Sequence, residues 1–295
     1  MISPFAFGAS AALLSAASWA LGSVLFFKIG RQISPLGLNL CRGILGLIFL
    51  IGPLSFSSVH AIDAHSFLLL AVSGLLGIAV GDTFFFKTLL NLGPRLTALI
   101  GILVPVITTL GAGIFLMERQ GFWIWAGIVM TLGGIGWLLW EQNPSDKDTI
   151  KNKTKGILYG ILFIIFSTAA VLLAKAGIKT ISPLPATAIR IGGGVTGLLV
   201  WGLFTRQIQS SLRPFSDLTL LRNFAGIVMI GVFGGFWLFC VAIKYIDVSI
   251  ASTLNSTTAL FTLPMMAVIM HKRVTWRDVL GTVTAVLGVA FIMLH

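Results

Sequence analysis

Residues 74–85 read GLLGIAVGDTFF and residues 228–239 read VMIGVFGGFWLF. The two stretches belong to segments, 74–140 and 228–294, that align without a gap at an offset of 154. That register places Gly77 on Gly231, Gly81 on Gly235, Phe85 on Phe239, Thr108 on Thr262 and Gly127 on Gly281. Working upstream, Lys28 falls on Lys175, Ser34-Pro35 on Ser182-Pro183 and Arg42 on Arg190. The chain therefore states one unit twice. A duplicated apolar unit of this size points to a transporter whose site lies between the halves.

The solvent of this unit is lipid. With 57% hydrophobic residues, 10% charged residues and a mean hydropathy of +1.01, the chain is too apolar for a soluble globular domain. A helical span needs about 20 mostly apolar residues. Ten such segments read near 5–27, 34–54, 66–90, 94–116, 121–140, 156–179, 183–205, 222–246, 248–270 and 275–294. They lack the short alternating pattern of membrane strands, so helices satisfy the backbone. The expectation is an all-α membrane protein of ten transmembrane helices, built as two inverted five-helix repeats. Residues 1–140 form the first repeat, 141–155 a polar linker and 156–295 the second. Five is odd, so the second repeat enters the bilayer upside down. The first apolar run lacks a charged leader and reads as the first span.

Basic residues set the expected orientation. Fourteen of the twenty lysines and arginines fall on the side that carries the linker and four on the other, with Arg42 and Arg190 inside spans. The positive-inside rule then puts the linker in the cytoplasm and both termini outside, in a multi-pass protein of the cell (inner) membrane. A net charge of +11 in such a chain reports loops and anionic lipid, not nucleic acid. Cys41 and Cys240 lie in apolar spans with no histidine near them in sequence, so neither a metal nor a cofactor is expected. The expected partners are a small-molecule substrate and the bilayer, in a monomer or homodimer.

Trp19-Ala20-Leu21-Gly22, Ser34-Pro35 with Arg42, Gly81-Asp82-Thr83, Val104-Pro105, Glu118-Arg119 and Lys244-Tyr245-Ile246 together carry a resemblance over essentially the whole chain. It resembles the EamA-type, ten-helix branch of the drug/metabolite transporter superfamily. Lys272 stands where the first half has Glu118, and Ala259 where the family has proline in the ninth helix. The resemblance implies termini in the cytoplasm, opposite to the orientation that the basic residues predict.

Candidate site residues come from the cost of polarity in lipid. Arg42 and Arg190 each lie about eight residues, roughly 12 Å, into their helices. A charge at mid-bilayer costs at least about 3 kcal/mol. Two readings stand for each: an anchor for a substrate carboxylate or phosphate, or a side chain that reaches an interface or a neighbour's carbonyls. Asp82 is the one acidic residue well inside a span, and is the candidate proton-coupling group unless it sits wet beside Lys87. Asn255, in the polar run Ser252 to Thr258, and Thr97, on the aligned stretch of the fourth helix, are candidate cavity groups. Trp19, set among small residues, and Trp237 are candidate aromatic contacts. Pro105 and Pro264 are candidate kinks, since each removes a helical hydrogen bond.

These residues predict a secondary transporter, in the export direction, of a small organic metabolite such as an amino acid. Alternating access would drive it, with a proton as a candidate coupling ion. The alternative is a lipid or phosphorylated-metabolite translocator of the same fold. No phosphate loop appears and the four histidines lie in loops or at the terminus, which argues against direct ATP use and against an enzyme.

Overall fold

The computed structural model describes residues 3–30, 33–56, 62–117, 121–140 and 150–271, with isolated positions between 276 and 288. Arg31, Glu118, Arg119, most of the 141–155 linker, Lys272, Arg273 and most of the tenth span lie outside the described residues.

The first span is α1 (Pro4–Gly30) and the second α2 (Pro35–Ser55). Ser34 caps α2 by accepting from the Gly37 amide at 3.1 Å, and Pro35 occupies the first turn, where a missing N–H costs nothing. The third span begins with α3 (Ala64–Gly74), widens to a π-helical stretch at Leu75–Gly81 and continues into α4 (Asp82–Gly101). Inside α4 the chain turns at Gly93, whose φ of 82° suits glycine, and Pro94 opens the fourth span. That span continues through α5 (Leu103–Gly111), and α6 (Phe122–Trp140) is the fifth. The second half runs through α7 (Lys153–Gly177), α8 (Pro183–Phe204), short α9 (Ile208–Leu212) and α10 (Leu218–Met229). A second π-helical stretch, Ile230–Trp237, then leads to α11 (Leu238–Tyr245), α12 (Val248–Ser256) and α13 (Thr258–Met270).

Seven described helices meet the length and hydropathy of a membrane span, among them one of 35 residues, Ala64–Ala98. That one runs through the Gly93 turn, and the fourth span continues as the shorter apolar helix Leu103–Leu116. The third and fourth of the ten expected segments meet in one helix across the Gly93 turn, and most of the tenth lies outside the described residues.

Local irregularity repeats with the sequence. The π-helical stretches begin at Leu75 and Ile230, within one residue of the 154 offset. The helix breaks at Ile102, between α4 and α5, and at Thr257, between α12 and α13, obey the same spacing. Asp63 and Asp217, 154 apart, both cap the helix that follows.

Contacts establish the inversion. At one end, the Lys151 amide donates to the Asn91 carbonyl at 2.7 Å, and the hydroxyls of Ser34 and Ser211 meet at 3.0 Å. Loops 1–2, 3–4, 5–6 and 7–8 therefore share this linker face. At the other end, Thr180 donates to Asp63 at 3.2 Å and the Phe7 and Tyr245 rings pack edge to face at 5.3 Å. So α1 begins where α11 finishes, and α7 starts at the end opposite to α1. Across the halves α4 packs on α7 and α1 on α11, so the contact of the third span with the sixth is matched by that of the eighth with the first. Glycine permits the closest crossing: a Cβ on Gly74 of α3 would collide with the Arg190 carbonyl of α8.

Candidate substrate site between the halves

The apolar seal sits away from the linker face. Ala9 and Ala12, Leu70, Ala174, Ile178, Ile243, Ile246, Val248 and Ala251 are all buried there and form one cluster. Two lysines close it. Lys175 Nζ donates to the carbonyls of Ile243 and Ile246 at 2.9 and 2.7 Å, and Lys244 Nζ to those of Ile178 and Lys179 at 2.9 and 2.5 Å. Each lysine thus satisfies the orphan carbonyls at the other helix's C-terminus, where the helix dipole also favours a cation. Although Lys175 sits at a span end, its amine is turned inward to a neighbouring helix.

Below this seal lies a cavity of about 200 Å³ that reaches from mid-depth toward the linker face, past Ser23 and Leu89 to Pro94. Its walls are mainly aromatic and aliphatic, with Phe85, Phe163, Phe236 and Phe239 from both halves. Of the residues singled out by sequence, Trp19, Asp82, Thr97, Pro105, Arg190 and Asn255 line it. Trp237 does not; its neighbour Phe236 does, while the Trp237 ring lies 6.5 Å from Phe233. Pro264 is inside α13 and off the cavity wall.

Arg42 lies behind that wall, 1% exposed. Its Nη2 donates to Asp82 Oδ2 at 2.5 Å and to Asn39 Oδ1 at 2.6 Å. Its Cζ stands 5.0 Å from the Phe236 ring centre, 5.1 Å from Phe86 and 5.7 Å from Trp19. Nε and Nη1 find no acceptor among the described residues, so the rings carry part of the charge's stabilisation. Asp82 is therefore paired inward with Arg42 and is not a wet partner of Lys87. Lys87 instead stands over the Phe84, Tyr159 and Trp201 rings.

Arg190 is 5% exposed and turns to the cavity. Its Nε donates to Ser73 Oγ at 3.1 Å and its Nη1 to Cys240 Sγ at 3.5 Å. It is close enough to attract the Asp82 carboxylate. Neither arginine reaches for an interface.

Asn39 escaped the sequence reading. Its amide donates to the Ile78 carbonyl at 2.6 Å and to Thr83 Oγ1 at 3.0 Å, joining Arg42 to the π-helical stretch before Asp82. Ser15 serves the equivalent stretch in the second half, donating to the Gly235 carbonyl at 2.9 Å. An asparagine three residues before an arginine, on one face of an apolar helix, was the available signal.

The polar run in the ninth span also has a local job. Ser256, Thr257 and Thr258 each donate to the carbonyl three residues back, at 2.7, 2.6 and 2.7 Å. Such bonds compete with helical ones, and the break falls at Thr257. The interruption thus sits seven residues before Pro264, whereas Pro105 lies three residues after the break at Ile102. Asn255, at the break, keeps a buried Oδ1 with no partner among the described residues. Arranged this way, the cavity offers a guanidinium, a shared carboxylate and a free amide acceptor to a solute with an apolar body.

The model of the EamA-like transporter family matches residues 6–140 and again 154–294. No curated protein matches the chain. One solved chain, described as "Crystal structure of protein", is 18% identical over 97% of both chains with a TM-score of 0.70, a likeness of fold alone.

Proposed function

This chain belongs to the EamA-like transporter family, and on that premise we propose that it is a secondary transporter of a small organic metabolite bearing an anionic group. The observation that carries the reading is Arg190 facing a mid-depth cavity whose only described carboxylate, Asp82, is already held by Arg42. A guanidinium with no ion pair of its own in a poorly hydrated site calls for an anion. Asn255 Oδ1 supplies the acceptor for an N–H or O–H on the same solute, which suits an amino acid or related compound. Asp82 is the candidate proton site.

Alternating access follows from the inverted halves: the cavity reaches toward the linker face and is sealed beyond Lys175 and Lys244. If the linker lies in the cytoplasm, as the basic residues argue, this is the inward-facing state. A phosphorylated solute or lipid headgroup would demand more cationic groups than the one arginine that the described residues put on the wall.

A thermal-shift screen of purified protein against amino acids, monocarboxylates, amines and sugar phosphates tests this reading. Stabilisation by carboxylate-bearing compounds, lost in Arg190→Gln, is expected. Stabilisation by amines alone would overturn it.

A further inference from the structure

Two guanidinium groups and one carboxylate meet at mid-depth: Arg42 from α2, Arg190 from α8 and Asp82 from α4. No other charged side chain among the described residues faces Asp82. At its level α1 presents Trp19 and Ser23, α7 presents Phe163 and Ser167, and the second π-helical stretch presents Phe236. Asn255 and Thr262 line the cavity from α12 and α13, and the Cys240 thiol of α11 bonds Arg190. Cys41, beside Arg42 on α2, is buried; Lys87 and Tyr159 pack together more than a turn along α4. Two positive groups less one negative leave the empty cavity with one net positive charge.

This deepens, and rests on, the anion reading above. A monoanion at Arg190 places a second negative charge beside Asp82, and close like charges favour protonation of one of them. A protonated Asp82 in turn deprives Arg42 of its counter-charge, which an arriving anion replaces. Each event assists the other, and the assistance is reciprocal by linkage. We infer that the protein carries a monoanion together with a proton on Asp82. The loaded cavity then holds two guanidiniums, a neutral carboxyl and one anion, the same net charge as the empty one. The crossing is electrically silent. On loading, the proton passes from water to the Asp82 carboxylate; on release it returns to water, and no other bond changes. An inward proton gradient makes such a carrier accumulate its anion, and an opposing anion gradient makes it export.

The test uses the full chain in detergent, titrated calorimetrically with phenylacetate, octanoate and isovalerate in two buffers of different ionisation enthalpy. The expected result is uptake of about one proton per carboxylate bound near neutral pH. Asp82→Asn should bind with no proton uptake and with the same affinity at mildly acidic and mildly basic pH. Binding by the parent protein without proton uptake overturns the coupling and leaves the anion site standing. Failure of all three carboxylates, or binding of phenethylamine in their place, overturns the anion site and the coupling with it. The parent's proton count decides even if Asp82→Asn does not fold. In proteoliposomes, uptake should follow an imposed pH difference and ignore a potassium–valinomycin potential; potential-driven uptake would overturn the silent crossing.

Discussion

Asp82 and Phe236 hold the same position in the two repeats, and both lie against the Arg42 guanidinium, at 2.5 Å from Oδ2 and 5.0 Å from the ring centre. The pseudo-two-fold axis thus brings one carboxylate and one aromatic ring to a single cation. Had both positions kept an acid, the cavity would be neutral; the phenylalanine leaves it cationic.

Removing half of that pair should cost much more than replacing all of it. Asp82→Ala strands a buried guanidinium and should destabilise the protein by about 3–5 kcal/mol. The double variant Arg42→Met/Asp82→Leu should recover most of that loss. Chemical denaturation of both variants in detergent checks it, and a double variant no more stable than Asp82→Ala would contradict the pairing.

Asn255→Leu should separate function from stability. Its buried Oδ1 has no partner among the described residues, so removing it takes away an unsatisfied acceptor and leaves stability unchanged or slightly raised. Binding of a hydrogen-bond-donating solute should weaken about tenfold, the loss of roughly one hydrogen bond. Parallel melting and binding curves give both numbers.

The two lysines at the sealed end should act as a clasp. Lys244→Met frees the carbonyls of Ile178 and Lys179, and Lys175→Met those of Ile243 and Ile246. Hydrogen exchange in the last turns of α7 and α11 should quicken about tenfold in either variant, with the first turns of both helices unchanged. Equal quickening along the whole helices would show general loosening.

Asp63 should make the start of α3 sensitive to acid. The Ser66 amide first, then the hydroxyls of Ser66 and Thr180, hold its carboxyl below the ordinary carboxylate range. A carboxyl held low stabilises fully at neutral pH and loses that contribution as pH falls through the acid range. Exchange at Ser66 and Phe67 should therefore rise on acidification in the parent. Asp63→Asn, which still caps, should flatten that dependence.

Gly74→Ala should be damaging although it adds one methyl, because that methyl would meet the Arg190 backbone, which cannot rotate away. A loss of about 1–3 kcal/mol is expected. Gly226→Ala, with open space around it, is the control and should be neutral to slightly stabilising. Thermal unfolding compares the two.

Much was legible in advance because lipid is an unforgiving solvent. A span must be apolar over its length, so hydropathy gave the helices, and an exact offset of 154 gave the repeat. The same cost made Arg42, Arg190, Asp82 and Asn255 conspicuous, each being dear to bury. What one chain position cannot reveal is which neighbour meets it. Periodicity gave no sign that Arg42 would turn to Asp82 and away from the cavity, since their partnership spans 40 residues. The helix break at Thr257, made by hydroxyls and not by Pro264, depended on which way each side chain folded back. The two clasping lysines looked ordinary in sequence because their bonds go to backbone carbonyls, as does one of Asn39's, and every residue owns a carbonyl. The solvent selected the elements; only the crossing of the inverted halves chose the pairs, because a charge in a low dielectric settles on the partner geometry provides.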